Sequence, residues 1–590
     1  MAHILYQEPS YLLHMKPKSF IWDHFVVVET KPNGAAKTVK CKHDGCEYRK
    51  AANQNRMLQH WQAHHSVPQE SLDGLEEDAE ELVVDFVDPP LSSVPVAADG
   101  PPAKKQCLLT SYLDRAFSEV EQEHAEMSQA FATVMNGHSY NSVEQQWTID
   151  FLQALRKDYV PLTIYKLEQR IKQTEDGIRE DVLVAISQHG YVAMAVDGWE
   201  DHQRRPTICF TVHVPNGGAY VFKFKRIDVA ETGEELNKLI MEVVDELRDL
   251  NLVVSAVVAD NASNIQKGIR LSALNGLLQA NCYAHTLNLL LKDLASLYDQ
   301  QFQQMRQVDQ FFRSRHAARV EYDAVVVELG GTRLAEPVDT RWGSQVDLCQ
   351  SLLENRRIVE NAVLKLRAKN FPFVGNELMF IWAPSWWDTL QHLLDWLLPV
   401  RCALAKVERN LTTLSHGVEI VATLFDNLIA TLRVFGPGEV ARARPIIEER
   451  RQMLLHERAL VANLLDHRYR GKKLTPELRA KALRNIASVA EKVALDPPSL
   501  DEALASIGET GAFQQSVGLE CHPFLFWNSV HPDSTLAQLG KLLGSIPSSQ
   551  ASVERVFSTA DWLATDRERL GFTKLAREVF IRYNFKALSA

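Results

Sequence analysis

Cysteine is scarce in this chain, at eight in 590 residues, which excludes a fold stapled by a disulfide framework. Only Cys41 and Cys46 stand close together with histidines downstream, a pattern that suits a reducing compartment with one metal site. Long apolar runs are missing as well. The opening residues, MAHILYQEPSYLLHMKPKSF, are mixed and polar, and no later run approaches the ~20 apolar residues that a bilayer requires. A soluble, intracellular protein is therefore expected. Positive charge is also in deficit: the net charge is −11, which at first disfavours a nucleic-acid partner. Its distribution reverses that reading. Lys16, Lys18, Lys31, Lys37, Lys40, Lys42, Arg49, Lys50 and Arg56 crowd the segment before residue 66, whereas the following PQESLDGLEEDAEELVVDFVDPP has no Lys or Arg. The total averages a basic head with an acidic tether, and affinity for DNA follows local cationic faces.

Residues 67–106 are acidic and then rich in Pro and Ala, with Phe86 as their one aromatic. Such a stretch buries too little apolar surface to offset the entropy of ordering, so it is expected to be a disordered linker. Residues 107–190 have a helical pattern, as in WTIDFLQALRKDYVPLTIYKLEQRI. Between Tyr191 and Asp260 the period changes: YVAMAV, TICFTVHV, AYVFKFKRI and LVVSAVVA are short β-branched or aromatic runs separated by turn formers. GEELNKLIMEVVDELRDL, between the third and fourth, reads as a helix. Three strands, a helix and a buried strand open an RNase H-like sheet, as they do other α/β folds. Beyond about Leu287 nearly everything reads as helix. Leu390, Leu393, Leu397, Val400, Leu404 and Val407 fall at alternating spacings of three and four, the stripe of a helix buried along one face. No internal repeat is present.

Cys41-KHDG-Cys46, then His60, then His64 or His65, supply two thiolates and two imidazoles, the donor set of tetrahedral zinc. Short gaps within each pair let a hairpin and a helix contribute two ligands each, and Trp22 and Phe25 are placed to pack beneath the metal. The bland alternative is chance clustering of surface residues; a four-ligand set inside a basic segment favours zinc.

Two apolar strands end alike, YVAMAV in Asp197-Gly198-Trp199 and LVVSAVVA in Asp260-Asn261-Ala262-Ser263-Asn264. The carboxyl ends of strands are where α/β sheets place their ligand sites. On neighbouring strands, about 4.8 Å apart, both carboxylates reach one divalent cation, and hard oxygen ligands with open positions suit Mg²⁺ or Mn²⁺. Taken singly, each Asp reads equally as a turn former or helix cap. A third acid, Glu554, lies on an expected helix in SIPSSQASVERVFSTADWLATDRERL, with Ser548 or Ser549 as the expected cap.

These blocks carry resemblances. SFIWDHF, CKHDGC and NQNRMLQHWQAHH together resemble a BED-type zinc finger, a DNA-binding module of transposases and their domesticated relatives. That family usually leaves four residues between its histidines, which favours His65; the gap between Cys41 and Cys46 is wider than usual. Lys42, Arg49, Lys50 and Arg56 become candidates for phosphate contacts. The stretch around Glu554 resembles the C-terminal signature of hAT transposases, in which the Glu completes a DDE triad on an RNase H-like core. DGW at Asp197 and ADNASN at Asp260 resemble the blocks carrying the first and second Asp, and LLDHRYR, CHPFLFWN and REVFIRYNF resemble further hAT elements in the expected order. Cys282-x-x-His285 matches the family's CxxH block, although by itself it reads as a structural pair at a helix start. Arg341-Trp342 resembles the RW block, whose Trp is thought to stack on a base turned out of the duplex; a core Trp is the plain alternative. Glu200 and Asp201 stand where the family has small hydroxyl residues, and His467 where it has Pro.

The resemblance implies an α/β fold: an RNase H-like catalytic core at 191–290, interrupted by a large all-α insertion at 291–520 and completed by 521–590. A zinc-finger domain at 1–66, the linker and a helical DNA-binding or dimerisation region at 107–190 precede it. It further implies a nuclear, oligomeric, cut-and-paste transposase acting on double-stranded DNA at terminal inverted repeats and a target. Mg²⁺ or Mn²⁺ would sit on Asp197, Asp260 and Glu554, and Zn²⁺ on Cys41, Cys46, His60 and His65. The alternatives are a domesticated DNA-binding regulator that no longer cuts and an RNase H-like nuclease; neither the finger nor the long insertion is needed for the latter.

Overall fold

The computed structural model describes residues 117–589 apart from 202–203, 216, 228–231, 261–262, 274–275, 339–341, 372–376, 435, 509, 511–512, 514–520, 566 and 568, together with three strands near the amino end. The chain divides into two compact units, 1–105 and 106–590. In the first, β1 (Phe25–Thr30), β2 (Ala36–Cys41) and β3 (Arg49–Ala51) form an antiparallel meander in which Phe25 pairs with Cys41 and Lys40 with Arg49. Cys41 closes β2 and is buried. Arg49 and Lys50 lie on β3. Trp22, Lys42, Cys46, Arg56, His60, His64, His65 and the linker 67–106 lie outside the described residues.

The second unit is built around a mixed sheet of β4 (Tyr191–Glu200), β5 (Pro206–His213), β6 (Ala219–Arg226), β7 (Val253–Ala259) and β8 (Leu278–Asn281), in the order β6-β5-β4-β7-β8. β4, β5 and β6 run antiparallel, and β7 and β8 extend the sheet parallel to β4. The four apolar runs of the sequence are β4 to β7. Their unbroken burial, Val192–Val196 in β4 and Val254–Ala259 in β7, follows from a central position with both faces covered. β8, with only four residues alternating between buried and half-buried, was not among the expected strands.

The helix Gly233–Asp249 carries the chain from β6 back to β7. Thr232 caps it, its hydroxyl accepting from the Glu235 N–H, and Leu236, Ile240, Val243, Val244 and Leu247 form its buried stripe. The next helix, Ser263–Ala273, crosses it closely at Gly268, where a Cβ would lie 3.1 Å from both the Gly233 carbonyl oxygen and Leu236 Cβ.

From Tyr283 onward the described elements are helices. The apolar stripe from Leu390 to Val407 is buried along the single helix Pro384–Val407, which packs against Tyr283–Ala295. The boundaries expected at 190, 290 and 520 are not breaks in packing: residues from Ala130 to Ile581 share one continuous apolar core. The described part of the 107–190 region, 117–190, packs onto the C-terminal helix Phe572–Leu588. Its helix Ile164–Ser187 pairs Glu175 with Arg577 at 2.8 Å and Glu168 with Lys574 at 2.5 Å, and Phe131 meets Phe585 edge-on at 4.6 Å. The fold is mixed α/β and mostly helical.

Candidate active site

β4 and β7 are parallel neighbours in a register that pairs Ala195 with Val258. Two residues further on, that register brings Asp197, near the end of β4, level with Asp260, the first residue after β7. Both are half-buried. The third acid arrives from more than 290 positions away. Helix Ala551–Ala564 lies against β4 and β5, with Glu554 in its first turn. A buried trio fixes that helix to the sheet: Ser552 Oγ stands 2.8 Å from His213 Nε2 and 2.9 Å from Thr211 Oγ1 on β5. Neither expected serine occupies the N-cap position. Ser548 and Ser549 each donate a hydroxyl to the Val407 carbonyl at 2.9 Å, the N-cap position is Gln550, which makes no side-chain cap bond, and Ser549 Oγ accepts only a long bond, 3.4 Å, from the Ala551 N–H. The tight packing against the end of the 384–407 helix takes those hydroxyls instead.

Gln550 is the residue that sequence reasoning missed. It is buried, its Nε2 donates to Asp197 Oδ2 at 2.9 Å, and its own N–H donates to Cys282 Sγ at 3.4 Å. Its Oε1 is buried with no hydrogen-bond partner. The spacing to Glu554, four residues on, puts both side chains on one helix face; that spacing was the only signal in the sequence.

The electrostatics couple the three acids. Burial pushes the Asp197 carboxyl up to about 7; Asp260 adds to the rise and Glu554 adds less. The Gly198 N–H, donated to Oδ1 at 2.9 Å, and the Gln550 amide oppose it. Like charges that disfavour each other's ionisation need a cation between them or a proton on one. Among the described residues no three His, Cys, Asp or Glu side chains converge tightly enough to form a ready metal cage. The acids stand within electrostatic reach of one another, and the amide of Gln550 is in direct contact with Asp197. Electrostatic coupling acts over longer distances than metal–ligand bonds, so the two findings agree.

Cys282 is the N-cap of Tyr283–Ala295, its sulfur accepting from the His285 N–H at 3.4 Å. Burial pushes its thiol up to about 12, and Glu554 and Asp197 add to this. The sulfur is a neutral acceptor shared by two backbone N–H groups, and it ties the end of β8 to the start of the Glu554 helix. His285 is half-buried on the first turn.

Arg341 lies outside the described residues. Trp342 opens the helix Trp342–Glu354 and is half-buried, its ring edge-on to Phe302 at 5.9 Å and its backbone N–H donating to Asn288 Oδ1 at 2.9 Å. Of the two acids after Trp199, Glu200 is exposed, whereas Asp201 is buried and turned to Arg205, 2.5 Å away. His467 is buried and stacks on Phe526 at 4.2 Å.

Residues 166–311 match the domain of unknown function DUF659, which occurs in hAT-like transposase families. The match covers about a quarter of the chain, including every strand of the larger sheet, both aspartates and the Cys282–His285 pair, and stops well short of Glu554. Comparison with curated proteins finds no match to this chain.

Proposed function

We propose that this chain is a divalent-metal-dependent DNA transposase of the hAT type, with Asp197, Asp260 and Glu554 as its acid triad on an RNase H-like core. The observation that carries the reading is that two aspartates lie level at the ends of two parallel strands and that a glutamate from a distant helix acts on the first of them: burial above all, then Asp260 and to a smaller degree Glu554, push Asp197 up to about 7. Support for the core comes from the strand order, in which three antiparallel strands are extended by two parallel ones on the side of the first. The DUF659 match over the same strands agrees with it.

The donor set fits a hard cation. Carboxylate oxygens from two strand ends and a helix, with an unpartnered buried amide oxygen beside them, suit Mg²⁺ or Mn²⁺ rather than a thiolate-loving metal. When bound, such ions activate a water or hydroxyl nucleophile and stabilise the leaving oxygen of a phosphodiester. Asp197, Asp260 and Glu554 would hold them. Gln550 keeps the Asp197 carboxylate turned to the site, and the buried trio of Thr211, His213 and Ser552 fixes the Glu554 helix against the sheet. Each step is a substitution at phosphorus: water first breaks a P–O bond at an element end and frees a 3′-hydroxyl. That hydroxyl attacks the opposite strand to close a flanking hairpin, and the element's own 3′-hydroxyl then joins target DNA; each attacking O–H yields its proton to solvent.

The N-terminal unit is assigned the DNA-docking role of a BED finger. Zn²⁺ would be held by Cys41, Cys46, His60 and His65, and Lys42, Arg49, Lys50, Arg56, Arg341 and Trp342 are candidate DNA contacts. Double-stranded DNA is the substrate, and the nucleus the compartment. Self-association is part of the reading: Trp147, Phe151 and Leu155, on one face of helix Gln146–Leu155, are each more than 60% exposed.

The test is incubation of the purified protein, with Mg²⁺ or Mn²⁺, and DNA carrying the sequences that flank its own gene. Nicked and hairpin products, absent from Glu554→Ala, are expected. Specific binding without cleavage in either metal would replace this reading with the non-cutting regulator.

A further inference from the structure

We propose that a cationic cleft whose rim loop is hydrogen-bonded to the Glu554 helix and to the segment before it binds the phosphodiester backbone of DNA; the assignment rests on the reading of the acidic centre as a site of phosphodiester cleavage. The cleft encloses about 540 Å³ between the helices Pro384–Val407 and Leu414–Thr431 and the turn after Leu465. Lys406, Arg409, His416, Tyr469 and Lys473 line it. Lys406 and Arg409 are exposed, and among the described residues neither forms an ion pair with a carboxylate. Lys473 reaches Glu419 at 3.4 Å, so one buried acid faces three cations.

An isolated surface Lys is ordinarily just solvated, but three features distinguish this group. It lines a concavity, where low-dielectric walls focus its field. It includes an aromatic wall: Tyr469 lies beside His416, ring centroids 5.9 Å apart, and under the Arg468 guanidinium, 5.0 Å from the ring centre. Asp466 grips that guanidinium, its Oδ1 2.9 Å from Nε and its Oδ2 2.7 Å from Nη2, so the LLDHRYR block gains a role as the brace of this wall.

The third feature is continuity with the acids. Arg555, next in the chain after Glu554, donates from Nη1 to the Glu408 carbonyl at 3.1 Å and from Nη2 to Asn410 Oδ1. The far side of the same loop is sewn to the segment leading into the Glu554 helix, by Ser548 N–H to the Thr412 carbonyl at 2.9 Å and Leu414 N–H to the Ile546 carbonyl at 2.8 Å. Arg555 thus ties the loop that follows Lys406 and Arg409 to the helix that carries Glu554. Three carboxylates repel a phosphate backbone, and a chain of net charge −11 offers no general attraction. Binding energy for the substrate must come from a local cationic surface, and this one is linked to the Glu554 helix through the 408–414 loop.

The experiment uses the full chain, a fluorescent 30-base-pair duplex of arbitrary sequence, and anisotropy titrations across a salt series. Replacing Lys406 and Arg409 by Gln is expected to weaken binding about tenfold at moderate salt. The slope of log affinity on log salt should fall by up to about 0.9 for each phosphate that is no longer neutralised. Both positions are exposed, so the thermal melt should not move. A control pair, Lys481→Gln with Arg484→Gln, removes the same charge from another helix. Wild-type affinity and slope in the cleft variant, or an equal weakening in the control, overturns the proposal. Cleavage is followed in parallel: a wild type that binds through the cleft but cuts nothing in either metal supports the cleft and overturns the transposase reading alone.

Discussion

Gln550 donates from Nε2 to Asp197 Oδ2 at 2.9 Å and leaves its own Oε1 buried without a partner. A buried amide oxygen left without a partner costs roughly 1–3 kcal/mol, and Gln550 bears that cost while its Nε2 fixes one oxygen of Asp197. Gln550→Leu keeps the bulk and removes the donor. Because the acids themselves remain, Mn²⁺ affinity measured by calorimetry is expected to fall about tenfold, and turnover 10- to 100-fold, with DNA affinity unchanged; such factors correspond to roughly 1.4–2.7 kcal/mol of lost orientation. A merely structural role would lower the melting temperature and leave Mn²⁺ affinity alone, so that pattern would refute the assignment. The places of Asp197 and Asp260 at strand ends were legible as the ends of apolar runs. Gln550 was not, since a neutral helix former carries no chemical mark until the fold sets it against a carboxylate.

The edge of the sheet is finished by a helix instead of a strand. Asn584, fully buried on Phe572–Leu588, accepts from the Val221 N–H at 2.8 Å and donates to the Val221 carbonyl at 2.9 Å. Its carboxamide thus reproduces the pairing of a neighbouring strand residue and covers an edge that would otherwise recruit another chain. Asn584→Leu leaves two buried backbone groups unpaired, a loss of about 2–5 kcal/mol, read as a lower urea midpoint. Asn584→Asp retains the acceptor but sets a charge against the carbonyl and should also destabilise. A leucine variant that denatures like wild type would show that the edge is held by packing alone. Four of the five described strands in this sheet were readable, β4, β5 and β7 because central strands are apolar on both faces and the edge strand β6 from its aromatic and β-branched residues. β8 was not, because four residues with two polar side chains leave no period to detect. The serine cap failed for a related reason: Ser548 and Ser549 meet Val407, 141 positions away from the first of them, and no local pattern encodes that contact.

The unit 106–590 places its first helices, sheet and long helical region around one core, and composition could not reveal this, because amphipathic helices show which face is buried but not against what. One consequence is a set of histidines buried far apart yet alike in protonation. Burial holds His213 and His456 down to about 3 and His522 to about 4, against an ordinary 6.5. Arg458, Lys481 and Lys492 face His456 and add to its effect. Below pH 6.5 the unfolded chain takes up these protons while the folded chain does not. Stability is therefore complete above about 6.5 and falls as the pH drops toward 4, by about 1.4 kcal/mol per pH unit for each histidine. His456 is the cleanest test. Its Nδ1 caps Glu457–Leu465 by accepting from the Ala459 N–H at 3.3 Å, and its Nε2 has no partner. Asparagine is a good N-cap and does not titrate in this range. Urea midpoints of wild type and His456→Asn, taken from pH 7.5 down to 4.5, should lie close together at the top of the range. They should then diverge on acidification, the variant losing about one-third less of the stability that the three histidines surrender. Parallel curves would mean that His456 takes up its proton in the folded state and that burial does not hold it neutral.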